Sequence, residues 1–143
     1  MELMQIRLTV MGCRALLCRR GGLSLWEQVR SVREGDIVIV CELPSYAVEV
    51  TESVEIAHRN GAKVITMTDS AAAPVCRFAE LQINVSANSP TFGSSIIGPI
   101  FLTHVLTSSL AVSLGDEAKK SFDEQAQFLH DERIFHPIFG LKY

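Results

Sequence analysis

Residues 35–41 read Gly-Asp-Ile-Val-Ile-Val-Cys, a turn followed by five apolar residues of which four are β-branched. Such a run is typical of a strand buried on both faces of a parallel sheet. The next apolar run, Lys63-Val-Ile-Thr-Met-Thr68, also predicts a strand. Between the two runs, the pattern predicts a helix from about Tyr46 to Asn60. Ser45 is expected to cap its start and Gly61 to follow its end.

The flanking sequence continues this alternation of strands and helices. We predict the end of a helix over residues 2–11, a short strand at Arg14–Arg19, a helix at Leu23–Val32, a short helix near Ala73–Phe78, a weaker strand at Leu81–Val85, an apolar helix from a Ser94-Ser95 cap to Gly115, and a last helix capped by Asp116 and reaching about His130. Strands and helices joined by short loops predict an α/β fold, a parallel sheet in a three-layer αβα arrangement.

Length and charge limit the class of protein. The chain has 143 residues, 48% hydrophobic and 20% charged, which predicts one folded core over residues 1–143. Its net charge is −3, so it offers no general positive field for a nucleic acid. Charge is uneven: residues 1–35 hold six arginines and three acids, and residues 36–115 hold three bases and seven acids. We interpret this as ordinary surface charge, with a docking face for a basic partner as the alternative.

Cysteine usage and the N-terminus indicate the compartment. Cys13, Cys18, Cys41 and Cys76 form no CxxC pair and no Cys/His ligand spacing, so we expect reduced thiols and no metal site. The N-terminus has no signal-peptide pattern, and a cytoplasmic location is expected. The uncharged stretch Ile96–Leu114 is long enough to span a bilayer. Because it carries several hydroxyls, Pro99 and His104, we favour a helix buried in protein over one facing lipid.

In parallel α/β sheets, ligands bind beyond the carboxyl ends of the strands. Three hydroxyl-rich loops are expected at that edge: Glu42–Tyr46, Thr68–Ala72 and Ser86–Ser95. The candidate ligand-binding residues are Glu42, Ser45, Tyr46, Thr68, Asp69, Ser70, Ser89, Thr91, Ser94 and Ser95. Each has a structural alternative, as a loop, turn, cap or packing residue. We identify no catalytic residue and expect no cofactor.

The central motifs resemble the sugar isomerase (SIS) domain. They are Gly35-Asp36 with the following strand, the helix end His58-Arg-Asn-Gly-Ala62, and Lys63-Val-Ile-Thr-Met-Thr-Asp-Ser70. Ala73-Pro74 and Phe78-Ala-Glu80 are similar to the text that follows in that family. The resemblance implies a flavodoxin-like parallel sheet.

A later segment is similar to one subfamily, the RpiR-type (MurR/RpiR) transcriptional regulators. Ser89-Pro-Thr-Phe92 followed by Ser94, then a long helix and Leu114-Gly-Asp-Glu117, carry this similarity. The resemblance implies a domain that binds a sugar or sugar-phosphate effector and dimerises, through the helix at 94–114. It also implies that DNA is bound only by a separate helix-turn-helix domain, which these 143 residues do not contain.

The sequence departs from the family in two places. The phosphate loop S-x-S-G-x-T is replaced by Glu42-Leu-Pro-Ser-Tyr-Ala47, in which Glu42 would repel a phosphate and Pro44 removes an amide donor. Glu42 is either a charge at a pocket for a neutral or amino sugar or a loop carboxylate. At the N-terminus, residues 1–12 correspond to the end of the family's first helix. The family's first strand is therefore missing, and Met1 as a native start stays open.

These observations favour a non-catalytic effector domain of an RpiR-type regulator. A sugar-phosphate aldose-ketose isomerase is the first alternative, since sugar isomerases use His and Glu as bases. His104 is more readily explained as a core or dimer-interface histidine. A fragment that only dimerises is the second alternative. No membrane association is expected.

Overall fold

The computed structural model describes residues 1–132 and residue 134, so most of the predicted tail within 116–143 lies outside the described residues. The helices are α1 (Glu2–Val10), α2 (Leu25–Val29), α3 (Val48–Arg59), α4 (Ile97–Leu114) and α5 (Asp116–Asp131), with a 3₁₀ helix at Pro74–Phe78. The strands are β1 (Ile37–Glu42), β2 (Lys63–Thr68) and β3 (Leu81–Asn84). The chain divides into two compact units, Cys18–Leu102 and Met1–Leu17 with Thr103–Tyr143. A single domain over 1–143 stays a prediction.

The unit Cys18–Leu102 contains the sheet. Its strands are all parallel and lie in the order β1-β2-β3, with Ile37 opposite Lys63 and Ile65 opposite Leu81. The predicted α/β class and parallel sheet are confirmed. β1 and β2 form where the β-branched runs predicted them, because side chains of this shape pack well on a pleated surface.

Two clusters hold α3 against the sheet. One joins Val54 of α3 to Val64 of β2 and to Val75 and Cys76 of the 3₁₀ helix. The second cluster joins Ala57 of α3 to the buried residues Val29 and Ala62. The half-buried residues Val32, Val38 and Ile56 pack against it. These contacts fix the start of α3 beside the carboxyl end of β1, which is the edge where a ligand site was expected.

The end of α3 is the predicted glycine stop. Gly61 has φ +90°, a conformation that suits a residue without a Cβ. Its N–H donates to the carbonyl of His58, and the N–H of Ala62 donates to that of Ala57. The chain then turns directly into β2.

The other unit, which includes α1, α5 and most of α4, is mainly helical in the part the structure describes. Ser121 of α5 donates a hydrogen bond of 2.9 Å to the carbonyl of Val10, and Arg7 of α1 donates to Thr107 and Ser108 of α4. Gly12 follows α1 with φ +83°, as the predicted stop at that position requires.

The predicted strand at Arg14–Arg19 is wrong, because residues 13–19 have no regular secondary structure. The backbone of Arg19 pairs with a side chain instead of a strand: its N–H donates to Gln28 Oε1 at 3.0 Å and its carbonyl accepts from Gln28 Nε2 at 2.8 Å. Leu16 is 86% exposed, so the run is not buried on both faces. Among the described residues, no strand precedes β1.

Two predicted caps are also wrong. Ala47, not Ser45, occupies the N-cap of α3, and Gly115, with φ +55°, precedes Asp116 at the start of α5. Ser95 does bond near the start of α4, accepting from the N–H of Ile97 at 3.4 Å.

α4 is much more exposed than its composition predicted. Ile97 is 76% and Phe101 68% exposed, and His104 is exposed as well. One chain by itself therefore does not bury this helix, and His104 is not a core residue of that chain. Cover of the helix by a second copy, with His104 at a dimer interface, stays a prediction. By length and composition α4 is also the one helix of the described residues that could cross a membrane.

Candidate functional site

The carboxyl ends of the three strands lie side by side. Glu42, the last residue of β1, is opposite Thr68, the last residue of β2, and Thr68 is opposite Asn84, the last of β3. The N–H of Val85 donates to the carbonyl of Thr68 at 2.8 Å, which holds the start of the third loop at this edge. The sheet register thus brings the starts of all three predicted loops together.

Glu42 is buried, with 7% of its surface exposed. Its Oε1 accepts a hydrogen bond of 2.7 Å from the N–H of Ala47, the N-cap of α3. Its Oε2 is buried and has no hydrogen-bond partner among the described residues. Burial raises the pKa of Glu42, against the Ala47 hydrogen bond and the charge of Arg20, which lower it. The carboxylate is therefore half satisfied, and its free oxygen lacks a donor.

Ser45 lies in the loop that connects Glu42 to α3. Its φ is +86°, the only positive φ of a non-glycine residue in the described part of the chain. This left-handed conformation costs about 1–3 kcal/mol for a residue with a Cβ. Ser45 is exposed and caps no helix.

Tyr46 and Asp69 connect the first two loops. The Tyr46 hydroxyl donates a hydrogen bond of 2.8 Å to Asp69 Oδ1, and the Thr68 hydroxyl lies 3.3 Å from the same oxygen. This bond from Tyr46 to Asp69 is the main reason that the pKa of Tyr46 is raised. These three residues come from two of the predicted loops, Tyr46 from the first and Thr68 and Asp69 from the second, and they form one polar cluster at the strand ends.

Four of the remaining candidates bond within their own loops. Ser70 accepts from the N–H of Ala72 at 3.1 Å. Ser89 Oγ and Thr91 Oγ1 lie 3.3 Å apart, and the N–H of Ser95 donates to the carbonyl of Ala87 at 2.8 Å. These contacts are the turn chemistry that is the alternative for these residues. Ligand binding by all ten candidates, Ser94 included, stays a prediction.

Sequence reasoning missed two groups near this cluster. One is the backbone N–H of Ala47, which no side-chain pattern reveals. The other is Arg20, whose charge acts on Glu42 and whose guanidinium lies 3.4 Å from Glu49 of α3. Arg20 is far from Glu42 in sequence, so only the folded chain connects them.

The SIS domain family profile matches residues 21–113. The chain belongs to the SIS domain family. That match covers β1, β2, β3 and most of α4, so the SIS domain includes every candidate site residue. No protein of curated function matches the sequence significantly.

Two solved structures of regulators share the fold. The sugar isomerase domain of an RpiR transcription factor from Sphaerobacter thermophilus is 21% identical, with a TM-score of 0.81 over 88% of this chain and 70% of that one. The Vibrio vulnificus NanR protein, complexed with ManNAc-6P, is 20% identical, with a TM-score of 0.77 over 91% of this chain. The present chain spans half of the length of that NanR protein.

A third similar structure is that of a candidate phosphosugar isomerase from Salmonella typhimurium LT2. It is 16% identical, with a TM-score of 0.54 over 77% of this chain and 34% of that one. The likeness to all three structures shows the fold of the SIS domain, which confirms the predicted fold family.

Proposed function

We propose that this SIS domain is the effector-binding and dimerisation module of an RpiR-type transcriptional regulator, acting in the cytoplasm. Its ligand is a sugar derivative of the phosphosugar type, bound without chemical conversion. The observation that carries the proposal is the fold shared with the RpiR and NanR proteins, the second of which holds ManNAc-6P.

The cluster at the strand ends supports a ligand site there. Tyr46, Thr68 and Asp69 present hydroxyl and carboxylate oxygens, which suit the hydroxyls of a sugar. Tyr46 also offers a ring, and aromatic rings are common in sites that combine one apolar face with a polar end. Binding at this edge would shift the population of dimer geometries and so move attached DNA-binding domains.

The exposed face of α4 supports dimerisation with a second copy of the chain. Ile97, Phe101 and Val105 lie four residues apart and therefore on one face of the helix, and all three are exposed. A contiguous apolar face of this kind is typical of a protein–protein interface. The resemblance that predicted a dimer through 94–114 pointed to the same helix.

Thermal melting with a ligand panel tests the proposal. The purified chain is melted with ManNAc-6P, glucose 6-phosphate and glucosamine 6-phosphate, and with the three unphosphorylated sugars. We expect at least one sugar to raise the melting temperature, because a ligand that binds only the folded chain stabilises it. Asp69→Asn should abolish the rise, and Asp123→Asn on exposed α5 is the matched control. No rise with any of the six sugars would contradict the proposal.

The same samples distinguish a binding module from an isomerase. A binding module leaves the sugar unchanged, whereas an isomerase moves a proton between adjacent carbons of the sugar. Conversion of an aldose phosphate to the ketose, followed by NMR of the sugar over hours, would contradict the non-catalytic assignment.

A further inference from the structure

The start of α3 already holds an anion that belongs to the chain. Helix N-termini attract anions because their first N–H groups lack partners within the helix. Here the N-cap N–H, that of Ala47, donates to Glu42 Oε1 at 2.7 Å. α3 is twelve residues long, so its dipole is well developed. A carboxylate from the end of β1 thus stands where an external anion would bind.

The second oxygen of the same carboxylate lacks a hydrogen-bond donor in the described part of the chain. Glu42 Oε2 is buried and has no donor among the described residues. A buried carboxylate oxygen without a donor is unfavourable, and burial accordingly raises the pKa of Glu42. Arg20, the cation that acts on Glu42, places its guanidinium 3.4 Å from Glu49.

From this geometry we propose that Glu42 takes the place of a ligand phosphate and converts the β1–α3 loop into a subsite for a hydrogen-bond donor, a sugar hydroxyl or amine. The proposal rests on the proposed function and adds the class of ligand group that this loop accepts. A phosphate on the same ligand would have to lie away from the start of α3, because two anions at one helix N-terminus repel each other.

The loop must move slightly for a donor to reach Oε2. That oxygen is closed to solvent. The loop that follows Glu42 contains Ser45 with φ +86°, a conformation that is strained for a residue with a Cβ.

Inorganic phosphate tests whether Glu42 excludes a phosphate from the start of α3, and this test does not require the sugar to be known. The wild-type chain, Glu42→Ala and the matched control Glu52→Ala are melted with increasing phosphate. Glu52 is an exposed glutamate on α3, so its loss changes the charge but not the loop. We expect phosphate to stabilise only Glu42→Ala, relative to chloride at equal ionic strength. An equal rise in the melting temperature of all three chains, or no rise for Glu42→Ala, would contradict the exclusion of phosphate by Glu42.

Glu42→Gln tests the donor subsite and serves also if Glu42→Ala does not fold. Its amide oxygen can keep the Ala47 bond, but the other end then donates instead of accepting. Binding of glucose and glucosamine is measured by calorimetry, and we expect an at least tenfold weaker affinity in Glu42→Gln than in Glu52→Gln. A larger loss for glucosamine identifies the amine as the donor, and an equal loss the hydroxyls. Affinities within twofold of wild type would overturn the subsite.

The two proposals fail in different ways. If no sugar binds the wild-type chain, the proposed function fails, while the phosphate experiment still decides whether Glu42 excludes an anion. If sugars bind and phosphate stabilises wild type and Glu42→Ala alike, the proposed function stands and this inference is wrong.

Discussion

At the scale of single residues, the chemistry of this SIS domain concentrates on Glu42. It is the one buried carboxylate among the described residues, and one of its two oxygens has no hydrogen-bond donor. By resemblance to the family's usual loop, it stands where that loop has a hydroxyl. We therefore propose that this one residue affects both the stability of the loop and the ligand group that the loop accepts.

Glu42 should make stability fall as pH rises. Its pKa in the folded chain is raised from 4.5, so the folded state holds the proton more tightly than the unfolded state does. The stabilisation from that proton is fully present below the unfolded pKa and is lost as pH rises through the folded value. We expect the unfolding free energy of Glu42→Gln, relative to wild type, to increase between pH 4 and pH 7 in urea titrations. A constant difference would show that the pKa is not raised; Glu52→Gln is the control.

Tyr46→Phe should weaken the connection between the first two loops. The substitution removes only the hydroxyl that donates to Asp69 at 2.8 Å. A hydrogen bond from a hydroxyl to a carboxylate stabilises the folded chain. Urea unfolding should therefore show a lower midpoint for Tyr46→Phe than for wild type, without a change in the dependence on denaturant. A variant as stable as wild type would mean that the bond to Asp69 does not form in solution.

Residue-scale features were also the hardest to predict from sequence. Asp69 and Tyr46 were named as candidates, but not as partners, because they are 23 residues apart and meet only through the sheet register. Serine favours the N-cap locally, which is why the sequence predicts Ser45 as the cap of α3. Instead, the N–H of Ala47 donates to Glu42, five residues earlier, and a local cap propensity does not indicate that a side chain from the end of β1 accepts this bond.

At the scale of elements, β1, β2 and α3 could be predicted closely. β1 and β2 are apolar runs rich in β-branched residues, and the pattern between them is that of a helix, which Gly61 ends where the sequence indicated. The segment Arg14–Arg19 is apolar in its middle but has no β-branched residue and no strand beside it, and the backbone of Arg19 bonds to Gln28 instead. Composition indicates that a strand is possible, whereas pairing requires a partner.

Gly98 fixes how closely α4 approaches the chain after β3. A Cβ at this position would lie 2.5 Å from Val85 Cγ2 and 2.9 Å from the carbonyl oxygen of Ser86. Gly98→Ala should destabilise the chain by about 1–3 kcal/mol, the usual cost of overpacking, although alanine favours helix by about 1 kcal/mol. Gly22→Ala is the matched control, since a Cβ there meets nothing within 4 Å. Equal unfolding midpoints for both variants would contradict the close approach.

At the scale of the whole molecule, the exposed face of α4 is the main feature that a single chain does not explain. Composition predicted that this helix is covered, and the described residues of one chain leave Ile97 and Phe101 largely exposed. Sequence could not distinguish cover by the same chain from cover by a second copy, because both need the same apolar pattern.

Phe101→Asp should therefore shift the chain towards monomer. A charge on the proposed interface has to be desolvated on association, so the dimer dissociation constant should rise at least tenfold. Sedimentation velocity over a range of concentrations measures this change. Ser113→Asp, exposed on the same helix, is the matched control. A wild-type chain that stays monomeric, or a Phe101→Asp chain that dimerises as wild type does, would contradict dimerisation through α4.

We propose that a sugar ligand binds at the carboxyl ends of β1 and β2. A ¹H–¹⁵N NMR titration of the full chain, with the sugar that raises its melting temperature most, tests this directly. We expect the amides of residues 42–47 and 68–70 to shift together and to saturate at one ligand per chain. Shifts confined to other parts of the chain, or no shifts at saturating sugar, would contradict it.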